Sequence, residues 1–406
     1  MSANQAFQDL FKTTTITLEP VTPIHVWSGR NAIVGVDALI QEQYFIVIDL
    51  EESLKTLPGK SLEELASTFG RKDELANRLR QLYKEGLLVA KKIPVRTPIQ
   101  GSQTNVRLLH ENLVPGSELK GYIRTAVLKK LLKSNQQPRD IIENKVDPKR
   151  NPKHMGIDIE AHLLRSPRTE RQGGFMDALM MISVSDPLSI EGLQTSVRKL
   201  TVLKTSNLKP VASLYAVTFD QGVLRYEMSI HSFKLPETIN NIELPKETVD
   251  KMNILSKKFF NSKDWIFEAL REMGCELIDI ELEKLNKMKE LNRMKDPRSL
   301  EKYSQILKKL SKYSQILNDL KEELCSEGNK NQAGHCVPAR IGFMTGHESK
   351  TLLPEIKRYH YAKYNAIKSV MGKRLRRPWD SLTVKLVNLD SVNELVGVGW
   401  CRLCLE

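Results

Sequence analysis

Short alternations of β-branched and polar residues dominate the first hundred positions, and they predict strands. Residues 13–20 (TTTITLEP) alternate in this way and then meet Val21, Thr22 and Pro23, a strand running into a turn. Two further strands are predicted over 32–39 and 43–49, the second holding the apolar run Tyr44–Ile48, and strand-like residues return at 92–99 and 105–109. Between them Leu75, Leu79 and Leu82 recur at helical spacing over 72–83. The turn Val114-Pro115-Gly116-Ser117 ends in an N-cap residue and predicts a helix over 117–134, with Leu119, Ile123, Ala126, Val127 and Leu131 facing inward. After a long basic loop, strands are expected near 179–185, 197–203, 211–219 and 223–231.

Residues 246–326 change character. They are rich in Leu, Lys, Glu and Met with almost no Gly, and predict several helices. Inside them KYSQIL occurs at 302–307 and again at 312–317. A ten-residue period rotates an apolar stripe instead of continuing a straight coiled-coil seam, so a local duplication on a packed helix is preferred to a docking face for a partner helix. A Gly-rich stretch from Arg340 to Gly346 follows, then a basic helical region over 349–377 and a final strand over 395–400. The mixture of strands, helices and hairpins is that of an α+β fold.

At 406 residues and 40% hydrophobic content the chain is long enough for two or three domains with their own cores. Lys and Arg outnumber Asp and Glu by 62 to 49, a net charge of +13 that favours a polyanionic partner, nucleic acid or an anionic membrane surface. No apolar run reaches the roughly 18 residues of a membrane span, and no membrane partner is expected. The first residues carry no export signature, and an odd count of five cysteines argues against a secreted disulfide framework. A cytoplasmic location is therefore expected. Cys401 and Cys404 have the spacing of half a zinc site that Cys325, His335 and Cys336 would complete, but a second CxxC is absent. No metal or other cofactor is expected.

Two stretches carry candidate chemistry. In Pro115-Gly116-Ser117-Glu118-Leu119-Lys120-Gly121-Tyr122-Ile123-Arg124, glycine permits close approach of a ligand to the main chain, and a helix N-terminus favours an anion. Lys120 and Arg124 stand four apart on one face, which makes a phosphate cradle, the alternative being an ordinary capped helix with solvated bases. In Gly342-Phe343-Met344-Thr345-Gly346-His347-Glu348-Ser349-Lys350, backbone N–H groups, hydroxyls and a lysine can follow a sugar-phosphate chain without reading bases; a plain loop is the alternative. The basic region behind it carries nine Lys or Arg against the single acid Glu355, among them Lys357, Arg358, Lys363 and Lys368. Histidines are scattered, and Asp37 is a lone carboxylate, so no catalytic set stands out.

Three separated stretches resemble signatures of the RAMP superfamily of CRISPR proteins. Residues 22–29 (TPIHVWSG) look like its N-terminal "PxHIGSG" segment, and residues 115–125 (PGSELKGYIRT) resemble its "PGSSLKGxxRT" signature closely. Residues 340–351 resemble its C-terminal Gly-rich loop, in the "GxGTGxxSKT" form of the subunit at the crRNA 3′ end of type III-A (Csm) complexes. Residues 214–222 are similar to the segment that opens the second half of that family. Trp27 and Met344 stand where the patterns have glycine. The resemblance implies two ferredoxin-like (RRM-related) domains, 1–190 with the basic helix 117–134 and 191–406 with a large helical insertion at 246–330 and the Gly-rich loop 340–350. It implies RNA contacts from His25, Ser28, Gly29, Gly116, Ser117, Lys120, Gly121, Arg124, Arg340, Gly342, Thr345, Gly346, His347, Ser349 and Lys350. The implied partners are crRNA, held by its backbone while base pairing reads sequence, other subunits of a type III-A effector, and recruited nucleases. No catalytic residue is expected; the alternative is a RAMP-type endoribonuclease using His25 or Asp37.

Overall fold

The computed structural model describes residues 11–100, 105–150, 156–165, 177–231, 238–239, 242–243, 246–261, 263–293, 297–326, 335–375, 383–389 and 394–406. In chain order the elements begin β1 (Phe11–Pro20), β2 (Trp27–Ile33), β3 (Ala38–Gln41), β4 (Tyr44–Ile48), α1 (Leu50–Thr56), α2 (Gly59–Ser67), α3 (Lys72–Lys84), β5 (Ala90–Pro94) and β6 (Asn105–Leu109). They continue with α4 (Gly116–Lys133), α5 (Pro138–Lys145), α6 (Ile157–Leu164), β7 (Ile182–Val184), β8 (Ser189–Lys204) and β9 (Pro210–His231). A small hairpin, β10 (Thr238–Ile239) and β11 (Ile242–Glu243), leads into α7 (Lys246–Asn261), α8 (Lys263–Arg293), α9 (Pro297–Lys309) and α10 (Ser311–Cys325). Last come β12 (His335–Arg340), α11 (Leu353–Tyr359), α12 (Tyr361–Leu375), β13 (Thr383–Asn388), β14 (Leu395–Gly397) and β15 (Trp400–Leu405).

The α+β class expected from the pattern is the class observed. One sheet of ten strands runs β12-β15-β1-β9-β8-β13-β14, with β6 parallel to β9 and paired to β2, and β7 against the far end of β9. Both hydrogen-bonded neighbours of β1, β9 and β15, lie beyond residue 190, so the two halves of the chain share this sheet. The strands expected at 211–219 and 223–231 are one strand of 22 residues. Gly222, at φ +128°, sits opposite a register shift in β8. The break expected between two strands is therefore an irregularity in a continuous ladder.

The helical block is inserted between β9 and β12 of that sheet. A Cβ on Gly274 would stand 1.9 Å from the Pro338 carbonyl oxygen, so α8 lies with its backbone almost touching β12. Ile16, Leu18, Tyr226, Met228 and Leu403 of the sheet join Leu119, Ile123 and Val127 of α4 and Leu270, Met273 and Leu277 of α8 in the main core. The two KYSQIL copies fall on α9 and α10. Tyr313, Leu317, Leu320 and Leu324 of α10 are buried, and Ile306 and Leu307 of α9 pack against the core, as a duplication on packed helices requires. A second, smaller unit folds β3, β4 and β5 with α1–α3 around Leu39, Ile46, Leu65, Leu75, Leu79 and Leu82. Helices α1 and α2 were not anticipated, because each buries a single residue, Ser53 and Leu65, and so writes no stripe. The long basic loop expected after Ser134 contains α5 and α6.

Candidate nucleic-acid interface

Segments that are far apart in sequence meet at one place. The Phe343 N–H donates to the His25 carbonyl at 2.6 Å. Gly342, at φ +104°, approaches so closely that a Cβ would lie 2.6 Å from the same oxygen, which leaves room for glycine alone. Glu118, in the first turn of α4, accepts the Gly342 N–H at 3.3 Å and pairs with Lys350 at 3.0 Å. The His25 ring donates from Nδ1 to the Val217 carbonyl at 2.8 Å and meets the edge of Phe343. Burial outweighs that hydrogen bond and, with Arg107 nearby, drives its pKa down to about 4, so the imidazole is neutral at pH 7.

The phosphate cradle expected at the start of α4 is not assembled as the spacing implied. The helix begins at Gly116, with Pro115 and not Ser117 in the N-cap position. The Gly116 N–H donates at 2.8 Å to Asp186, whose carboxylate also accepts from Asn112, so the chain's own anion occupies this helix end. Gly116 serves packing: a Cβ there would fall 2.1 Å from the Ser185 carbonyl oxygen. Arg124 turns away from Lys120 and grips Asp177 in a bidentate pair at 3.0 and 2.7 Å and Glu160 at 3.1 Å, with Arg165 on the same two carboxylates. Lys120 is half-buried and has no ion pair among the described residues, while Ser117 and Gly121 are exposed.

The Gly-rich loop is likewise only partly outward. Arg340 is fully buried; it pairs with Glu281 at 3.0 Å, donates to the Val398 carbonyl and stacks on Trp400. The hydroxyls of Thr345 and Ser349 are buried and donate to the Gly342 and Gly346 carbonyls, fastening the loop to itself. His347 and Lys350 are exposed, and Ser28, Gly29 and Gly346 are open to solvent in part or whole. Beneath the loop Lys284 bonds Glu281 at 2.7 Å and Glu348 at 2.9 Å, and Tyr313 donates to Glu281 while receiving the Trp400 indole N–H. This network ties the loop to α8. Burial alone would raise the Glu281 carboxyl, but Arg340 and Lys284 hold it at about 2.

Several bases of the region behind the loop are engaged by the chain itself. Arg358 pairs with Glu276, Lys363 donates to the Val146 carbonyl and Lys368 lies over the Tyr364 ring. Its last positions, 376–377, fall outside the described residues. The half zinc site dissolves as well. Cys404 is bonded to Cys336 across paired strands, Cys275 is bonded to Cys325 between α8 and α10, and Cys401 is a buried thiol. The odd cysteine count gave no hint of that pairing. Asp37 accepts the Ile33 N–H at the β2–β3 turn. What the sequence reading missed is the Arg107 guanidinium, 4.7 Å from the Trp27 ring and 4.5 Å from the Phe343 ring. The available signal was a bulky aromatic where the N-terminal motif has glycine.

Among solved structures, a chain of a Csm complex has a fold similar to this α+β sheet with its helical insertion. A protein chain in the cryo-EM structure of a Csm–crRNA–target RNA ternary complex of a type III-A CRISPR-Cas system aligns with TM-score 0.61 at 17% identity, covering 97% of this chain and 100% of that one. The crystal structure of T. onnurineus Csm5 aligns with TM-score 0.46 at 16% identity, covering 95% of this chain and 99% of that one. No family model and no curated protein matches the sequence. Among the described residues no helix is long and apolar enough to cross a membrane.

Proposed function

We propose that this chain is a RAMP-type RNA-binding subunit of a type III-A (Csm) CRISPR effector. In this reading it holds the 3′ portion of the crRNA by its backbone, caps the filament of related subunits and supports crRNA maturation. Its two ferredoxin-like halves, 1–190 and 191–406, share the long sheet. The observation that carries the reading is the meeting of the motif segments: the Gly342–Phe343 backbone lies on His25 while Glu118 fastens Gly342 and Lys350. Around that junction Gly29, Lys120, Gly346 and His347 are wholly or partly open to solvent, residue types suited to phosphate and sugar contacts. The fold shared with a chain of the ternary complex supports it. A role without cleavage chemistry is supported by the burial of His25 and by the Ile33 N–H on Asp37. Effector subunits co-purified with the tagged chain, with their bound RNA sequenced, test the proposal; guides of one 3′ boundary are expected. Recovery of the intact chain alone and free of RNA overturns it. Cutting of repeat or target RNA by the purified chain, with or without divalent metal, selects the endoribonuclease reading.

A further inference from the structure

Arg107 is placed unlike the other arginines of this region. Arg124 and Arg340 are taken by carboxylates, and Arg198 is held by Asp220. Arg107, on β6 opposite Asn31 of β2, is half-buried and meets no hydrogen-bond acceptor or carboxylate among the described residues. Its guanidinium instead lies over two aromatic rings, Trp27 at 4.7 Å and Phe343 at 4.5 Å. Contact with ring faces holds the cation without using its N–H donors. Burying a cation part-way without an acceptor has a cost, which an anionic ligand would offset.

Trp27 is also pre-positioned. Its indole N–H donates to the Arg30 carbonyl at 3.0 Å, one face lies toward Arg107, and 42% of the residue remains exposed. Two residues on, Gly29, at φ +85°, would carry a Cβ with nothing but its chain neighbours within 4 Å, so the backbone there is open to a ligand. Phe343 is the residue whose N–H rests on His25, so its contact with Arg107 is built into the junction of the two loops.

We infer that Trp27, Arg107 and Phe343 form a site for one nucleotide of single-stranded RNA. Its base stacks on the exposed part of Trp27, and a phosphate takes the N–H donors of Arg107 in a bidentate pair. The inference rests on the RNA-binding reading and adds a base-stacking point to a surface otherwise suited to backbone alone. Stacking of this kind is tolerant of sequence, because every base has a π-face.

The test is the affinity of the purified full chain for a labelled single-stranded RNA across a salt series, with thermal melting of each variant as the folding control. Trp27→Ala is expected to weaken binding about tenfold and Trp27→Phe to restore most of it. Arg107→Gln is expected to weaken binding and to lower the log-affinity against log-salt slope by about 0.7, one phosphate contact. Wild-type affinity in both Trp27→Ala and Arg107→Gln overturns the nucleotide site and leaves the wider RNA reading standing. An equal loss in Trp27→Phe and Trp27→Ala refutes stacking. Absence of RNA binding by the wild-type chain, alone and in its co-purified complex, brings down the RNA reading and this site with it.

Discussion

Replacing Glu281 by Gln is expected to cost about 3–5 kcal/mol of stability, because it breaks one side of a buried ion network. The side chains of Glu281 and Arg340 are each 2% exposed and that of Lys284 3%, so little solvent is available to take over the lost charge. Gln can still accept from Tyr313, so shape and one hydrogen bond survive while Arg340 and Lys284 keep a single carboxylate, Glu348, between them. A second route gives a similar size. The Glu281 carboxyl lies at about 2 against an ordinary 4.5. That difference corresponds to about 3 kcal/mol, since each unit is worth ~1.36 kcal/mol. The sign follows: a depressed carboxyl contributes stability above pH 4.5 that is lost as pH falls toward 2. Urea unfolding at neutral and acid pH, read by tryptophan fluorescence, measures both, and Trp400 reports directly through its bond to Tyr313. Glu281→Gln should unfold at lower urea and lose less between pH 4.5 and 2 than the parent. Glu281→Leu with Arg340→Met should recover much of the loss, because a matched apolar pair removes the stranded charge. A loss below about 1 kcal/mol in the single variant would refute the network as the anchor of the loop.

Three further outcomes follow from the same geometry. Glu355 is fully buried, and burial against the pull of Lys129 and Lys133, with Glu276 repelling, raises its carboxyl to about 7; stability should therefore fall as pH rises from 4.5 to 7, by up to about 3 kcal/mol, and Glu355→Gln should flatten that slope in pH-dependent melting. Lys120→Ala should leave the melting temperature unchanged and lower the RNA salt slope by about 0.7, whereas Arg124→Ala should lower the melting temperature through the loss of Asp177 and Glu160; equal melting in the two variants would contradict the assignment. Gly342→Ala should cost about 1–3 kcal/mol in urea unfolding, because it adds a Cβ 2.6 Å from the His25 carbonyl at φ +104°, and a neutral result would count against the close approach.

How far the sequence could be read depended on whether the deciding forces were local. Strand β1, helix α3 and helix α4 were legible because each repeats a period over several turns or pleats. Helices α1 and α2 were not, since each is short and buries one residue. The disulfides were invisible because Cys275 and Cys325 sit 50 residues apart, and Cys336 and Cys404 sit 68 apart. Nothing near either cysteine in sequence records its partner.

The charged residues teach the sharper lesson. Spacing put Lys120 and Arg124 on one helix face, yet the destination of each charge was decided elsewhere in the chain. Asp177 lies 53 residues from Arg124 and claims it, and Asp186, 70 residues from Gly116, fills the helix end expected to take a phosphate. Arg340 disappears into the core because α8 delivers Glu281 to it. Conversely, Arg107 carried no motif, and it is left with open donors because Trp27 and Phe343 hold it without bonding its N–H groups. A cation in a basic protein therefore indicates RNA only after the acids near it in the fold have been assigned. By that criterion Arg107 and Lys120, which meet no carboxylate among the described residues, stay candidates for a phosphate, whereas Arg124 and Arg340 do not.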